Sequence, residues 1–188
     1  MASRPGSGGT IETEAADDFV LNAGAMITHA SFVGLLPSGA PLSTITSVDV
    51  EIYRVFPKDS TNPPSGSVPI RVNSPSDVVF DARNGLAYNA TVLASSFAAA
   101  NSVDNGIFKK PSQTTGGEGP VSGEEVGLEV SFSPPFNLGA DHYFFVPQVG
   151  LSSGQFLWLS APRPIVAPGT PFSGDLQAWI RNANLSPD

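Results

Sequence analysis

The chain has 188 residues, of which 19 are glycine and 18 proline, so roughly a fifth of its positions break long helices and a helical bundle is excluded. Hydrophobic residues make up 40% and charged residues 14%, which is material for a core and excludes disorder over the whole length. The formal net charge is −8 and cysteine is absent, which rules out a disulfide framework or a thiolate site and disfavours nucleic acid, whose binding needs a basic stripe.

No run approaches the ~20 apolar residues of a membrane helix, so no membrane span is expected. Residues 1–16 are small, polar and glycine-rich and read as a flexible N-terminal tail. Residues 17–188 read as a single β-sandwich domain, and the chain stops without an obvious final strand, as a truncated domain would. The tail lacks the charged-then-apolar plan of a secretory signal. The abundance of Ser, Thr, Gly, Pro and Asn against few Lys nevertheless leans toward an exported protein.

Extended runs are expected over 19–21 and 26–36. The clearest alternation follows over 47–56, where Val48, Val50, Ile52 and Arg54 share one face and Asp49, Glu51, Tyr53 and Val55 the other. Shorter runs at 70–72 and 78–81 precede one at 88–97. Residues 92–103 (VLASSFAAANSV) could form a short helix from their alanines or finish that strand. Over 125–132, Val126, Leu128, Val130 and Phe132 alternate with Gly127, Glu129 and Ser131, the pattern of a half-buried antiparallel strand. Runs at 142–149 and 156–160 follow. Residues 175–182 (DLQAWIRN) suit either a helix or a strand. Clusters of Gly, Pro, Asn and Ser separate these runs. About nine strands in this spacing predict an all-β fold, an antiparallel sandwich of jelly-roll or immunoglobulin-like type with at most one or two short helices.

The segments DDFVL, FVGLL, VDVEIYRVFP, ADHYFFVPQVGL and FLWLSAPRPI resemble a class of bacterial exported β-sandwich proteins that often carry a PEP-CTERM-type sorting tag. The tag itself is not in this sequence. The resemblance implies an envelope or extracellular setting and, since the class has no assigned activity, no functional residues.

Gly150-Leu-Ser152-Ser-Gly154 matches the G-x-S-x-G nucleophile elbow, but an elbow needs a helix after it and a histidine late in the chain. Here a strand follows, and both His29 and His142 precede Ser152, so a hairpin turn is expected at 150–154. Glu124, Glu125 and Glu129 are near one another, but Glu124 points to the opposite face from the other two, which read as solvent-facing rather than as a glycosidase pair. Two lone histidines are a poor transition-metal set. Calcium is the ion that loop carboxylates would suit, with Asp17, Asp18 and Asp141 as candidate ligands if their strands start at one rim of the sandwich.

Among the aromatics, Tyr53, Tyr88, Tyr143, Trp158 and Trp179 could stack on sugar rings. Phe156 and Trp158 read as core, whereas Tyr53, whose face carries Asp49 and Glu51, and Trp179, near Gln177, Arg181 and Asn182, are expected at least partly exposed and are the candidate ligand-binding residues. The leading expectation is a non-catalytic surface, matrix or adhesion-type protein, with other envelope proteins or carbohydrate as partners and no cofactor apart from the calcium just considered. A carbohydrate-binding module is the second reading and a hydrolase the third. An apolar unpaired edge strand would favour assembly, and an exposed aromatic platform the carbohydrate module.

Overall fold

The computed structural model describes residues 1–6, 11–60, 74–104, 117–160 and 178–181. Alternation becomes nine strands: β1 Glu14–Leu21, β2 Ala25–Pro37, β3 Ile45–Arg54, β4 Asp81–Arg83, β5 Ala87–Ser102, β6 Gly119–Leu138, β7 Asp141–Leu151, β8 Leu157–Trp158 and β9 Trp179–Arg181. The described residues contain no α-helix, only a 3-10 turn at Leu42–Thr44. Two antiparallel sheets pack as a sandwich, one in the order β4-β3-β7-β1-β9 and the other β5-β6-β2-β8.

Between the sheets, Val48, Val50 and Ile52 of β3 share one buried cluster with Val126, Leu128, Val130 and Phe132 of β6. Each such side chain contributes about 1.5–3 kcal/mol by leaving water. Phe156 is buried as expected, and its ring lies against Gly34 of β2, where a methyl group would overlap it. Trp158, expected in the core, is half-buried against its margin.

The β6 alternation continues past the expected end, burying Phe136 and Leu138. Between them and Phe132 lie Pro134 and Pro135, which cannot donate to a ladder, and the β2–β6 register shifts there, between Ile27 and His29. Arg83 of β4 donates to both proline carbonyls at 2.8 Å and sets its guanidinium 4.3 Å from the Phe136 ring centroid.

Other regions are decided by the pairing. Of the two readings of 92–103, the strand is the one found, since β5 runs to Ser102. Residues 179–181 are strand as well, in β9. The run at 70–72 lies outside the described residues, as do residues 175–177 and 182. Of 78–81 only Asp81 is strand, and Val78, Val79 and Phe80 are exposed. The segment after β7 makes no hairpin, because β7 pairs with β1 and β3 whereas β8 pairs with β2 in the other sheet. It is a crossover between layers.

The described part of the expected tail belongs to the sandwich. Ala2, Ser3, Thr13 and Glu14 are buried. The Ala2 N–H donates to Val103 O at 2.8 Å, while Met1 O accepts from Trp158 N at 2.7 Å. Toward the other sheet, Ser3 Oγ donates to Pro147 O and accepts from Ala15 N, and Val149 N donates to Ser3 O at 3.1 Å. Composition predicted nothing to bury, but Ala2 and Ser3 are small enough to lie between the layers, and their backbone finds partners on both.

Candidate functional site

The outer face of the five-stranded sheet is where Tyr53 and Trp179 come together, and it is not a wet platform. Pairing of Tyr53 with Phe144 and of Ala16 with Trp179 aligns a second apolar cluster of Ala16, Tyr53, Phe144 and Val146, flanked by Val55 and Trp179. Tyr53 is only 4% exposed and Trp179 half-buried, which corrects the expectation of an exposed Tyr53. Tyr88 and Trp158 are also half-buried and Tyr143 buried, so these five rings form no exposed stacking surface.

A polar group borders this cluster. Tyr53 Oη donates to Glu51 Oε2 at 2.7 Å, with Glu14 Oε1 3.3 Å away. Arg181 Nε donates to Glu14, its Nη1 donates to Ser76 O at 2.9 Å, and its guanidinium lies 4.6 Å from the Tyr53 ring centroid. Glu12 accepts from Gln148 Nε2 at 2.7 Å. Burial, reinforced by the charges of Glu14 and Glu12, pushes the Glu51 carboxyl up to about 7, against the opposing pull of the Tyr53 hydroxyl and Arg181. Burial likewise pushes the Tyr53 hydroxyl up. A carboxyl titrating near neutrality suits acid–base chemistry, but a packed ion-pair network shifts a group the same way. This one joins β1, β3, β7 and β9. The sequence showed Glu51 and Tyr53 as neighbours on one face; nothing in it pointed to Glu14 and Arg181, which only the β1–β9 pairing brings opposite each other.

The three calcium candidates do not converge. Strand β1 runs antiparallel to β7, with Asp17 opposite Phe145, Asp18 opposite Phe144 and Asp141 opposite Leu21. At ~3.4 Å per residue that puts Asp141 about 10 Å along the ladder from Asp18 and further from Asp17. Each has other company. Asp18 Oδ2 lies 2.7 Å from His142 Nε2, and Lys58 Nζ donates to both Asp141 oxygens at 2.6 and 2.7 Å. The Lys58 ammonium holds Asp141 below the usual carboxylate range. Asp17 is exposed, and its Oδ1 accepts from the Asp18 N–H. Among the described residues, no three His, Asp or Glu side chains are arranged to hold a metal ion.

Nor does the G-x-S-x-G segment assemble a nucleophile. Ser152 is exposed just past one end of β7, and His142 is the second residue at the other end, roughly 30 Å away along an extended chain. His29, exposed on β2, meets Thr28 Oγ1 at 3.0 Å.

The feature the sequence reading passed over is β5. Among the described residues, Ala87–Ser102 is a 16-residue edge strand without a charged side chain, pairing on one side with β6. Leu93 is 54% exposed and Val92 42%, and Phe97 is also exposed. From Ala87 to Val92 its register with β6 is unbroken; shifts occur only beyond Val92. The absence of charge and the adjacent Val92-Leu93 were legible and 88–97 was expected to be extended, but that this strand lies at an edge is set by pairing alone.

Comparison with protein-family models, curated proteins and solved structures finds no match to this chain.

Proposed function

We propose that this chain is a non-catalytic β-sandwich of the bacterial envelope or exterior, a surface, matrix or adhesion-type component that assembles by adding a partner's strand along β5. The observation that carries the reading is the uncharged edge of β5, on which Val92, Leu93 and Phe97 are exposed and which no other described strand covers. An edge strand presents a row of backbone donors and acceptors, and proteins that remain apart blunt such edges with charge or proline. Here Ala87–Val92 is regular and has neither. Strand addition would satisfy that backbone and bury Val92 and Leu93. The exported setting is supported by the resemblance of the strands to bacterial exported sandwiches and by the scarcity of lysine.

The simplest partner is a second copy, pairing β5 antiparallel to itself. Light scattering after size exclusion tests it: the wild-type chain should shift from monomer to larger species as concentration rises. Val92→Lys with Leu93→Lys should remain monomeric with an unchanged circular dichroism spectrum. A wild-type chain that stays monomeric and captures no other strand would remove this reading.

A further inference from the structure

The regular stretch of β5 is complementary to itself. Against β6, Tyr88 pairs with Val130, Ala90 with Leu128 and Val92 with Val126, three residues buried between the sheets. Tyr88, Ala90 and Val92 therefore share the inward face, and Asn89 and Thr91, opposite Glu129 and Gly127, the outward one. Tyr88 and Ala90 pack against the core. Val92 points inward and is still 42% exposed. Leu93, 54% exposed, lies on the outward face over Gly127, where an added Cβ would stand 3.5 Å from it. The chain passes from β5 to β6 beyond the Ser102–Gly119 pair, at the other end of β5.

A second copy can pair with this stretch only in registers that keep inward residues opposite inward ones, because a slip of one residue reverses every side chain. Each such antiparallel register has a two-fold axis through one residue. With the axis at Ala90, Tyr88 faces the partner's Val92 and Asn89 faces the partner's Thr91. An aromatic ring then meets a β-branched side chain on the inward face, and an amide meets a hydroxyl on the outward one. Leu93 comes opposite the partner's Ala87, large against small. An axis at Asn89 would set two Asn89 amides against each other and carry Val92 past the start of the partner's strand. An axis at Thr91 would set Leu93 against Asn89 and draw the register shift beyond Val92 into the ladder.

Charge does not oppose this contact although each copy carries −8. The carboxylate beside the stretch is Glu129, one strand back on β6. Three strand spacings, about 14 Å, separate the two copies of it, beyond the ~8 Å reach of a charge in physiological salt.

We propose that two copies pair through β5 about a two-fold axis at Ala90, forming a closed dimer in which the two four-stranded sheets join edge to edge. This rests on the reading of β5 as an assembly edge and adds the register and the end point: each copy spends its β5 edge once, so growth through β5 stops at two. A ladder of this length belongs with the small interfaces below about 1,200 Å², so the dimer should form reversibly as concentration rises.

The chain has no cysteine, so introduced thiols report the register in the whole protein. Directly opposed residues lie about 4.5–5.5 Å apart at Cα, within disulfide reach, whereas a two-residue offset gives about 8 Å, outside it. Under mild oxidation, at a concentration where light scattering shows wild-type dimer, Ala90→Cys should cross-link to itself. Asn89→Cys and Thr91→Cys should cross-link when mixed and not when oxidised separately. All three should keep the wild-type circular dichroism spectrum; if Ala90→Cys disturbs its half-buried position, the mixed pair decides the register. Adding Val92→Lys to Ala90→Cys should abolish the cross-link. Dimers in which Asn89→Cys or Thr91→Cys cross-links to itself would overturn this register and leave strand addition standing. Larger species that grow past dimer and vanish with Val92→Lys would overturn the closed two-fold. A wild-type chain that stays monomeric but captures a capped Val-Ile-Val-Ile-Val peptide would give β5 to another partner and overturn this inference alone. A monomer without capture would remove the reading of β5 with it.

Discussion

Glu51 is the side chain whose charge the fold restrains most plainly. Its carboxyl titrates near 4.5 when free and near 7 in the sandwich. Between those values the native state keeps a proton that the unfolded chain has lost, so this group's contribution to stability is fullest below pH 4.5 and declines as pH rises to about 7. Glu51→Gln, neutral at every pH and still able to accept from Tyr53, should raise the melting midpoint at pH 8 and change it little at pH 4. Paired thermal melts across that range check the sign; a variant less stable than wild type at pH 8 would show that the ionised carboxylate is stabilising. Core residues behave more simply. Phe132, 4% exposed and packed edge to face on Phe136, should cost about 3–5 kcal/mol when cut to alanine, as read from urea unfolding. That cost was legible from alternation alone. Tyr53 was not: the acids beside it suggested water, whereas Arg181, distant in the chain and held in place by the Ser76 carbonyl that accepts from it, helps to compensate those acids in a buried setting.

At the scale of elements, the least foreseeable part is the first four residues. They act as a tie, with Ala2 bonded to Val103 and bridged to Leu157 on one side and Ser3 bonded to Pro147, Val149 and Ala15 on the other. Ser3→Ala would leave the Pro147 carbonyl and the Ala15 N–H without this buried hydroxyl, a loss of about 1–3 kcal/mol. Equilibrium unfolding would register it, and a change within error would mean that the hydroxyl is dispensable. Met1 and three small or polar residues before a glycine-rich run carry no periodicity, so no pattern argument could have placed them. Strand β5 is the reverse case. Its composition was visible, but its role as an edge depends on β6 choosing β2 as its other neighbour.

For the whole molecule, the ladders mostly join distant parts of the chain: β1 pairs with β7 and β9, β3 with β7, and β2 with β6. Loop closure must precede the reward of such contacts, so refolding should take milliseconds to seconds rather than microseconds. Stopped-flow fluorescence can follow it, since Trp158 and Trp179 report on different sheets. Microsecond refolding would mean that local structure, not strand pairing, limits the rate. Among the described residues, β8 has two residues and β9 three, so each pairs with only a short part of the strand beside it.

What the sequence determined by itself was local and periodic. Period-two runs at 47–56 and 125–132 stated which side chains face inward, and glycine and proline clusters stated where strands stop, because both depend only on neighbours a few residues away. Only the tertiary structure decided which strands pair and in what direction. The antiparallel β1–β7 register separates Asp17 and Asp18 from Asp141, and the crossover after β7 puts β8 in the opposite layer. The second buried face around Tyr53 and the tie made by residues 1–4 arise from the same choice. Pairing is settled by how the layers bury their apolar faces together, a free energy that belongs to the assembled sheets and is written in no single stretch of chain.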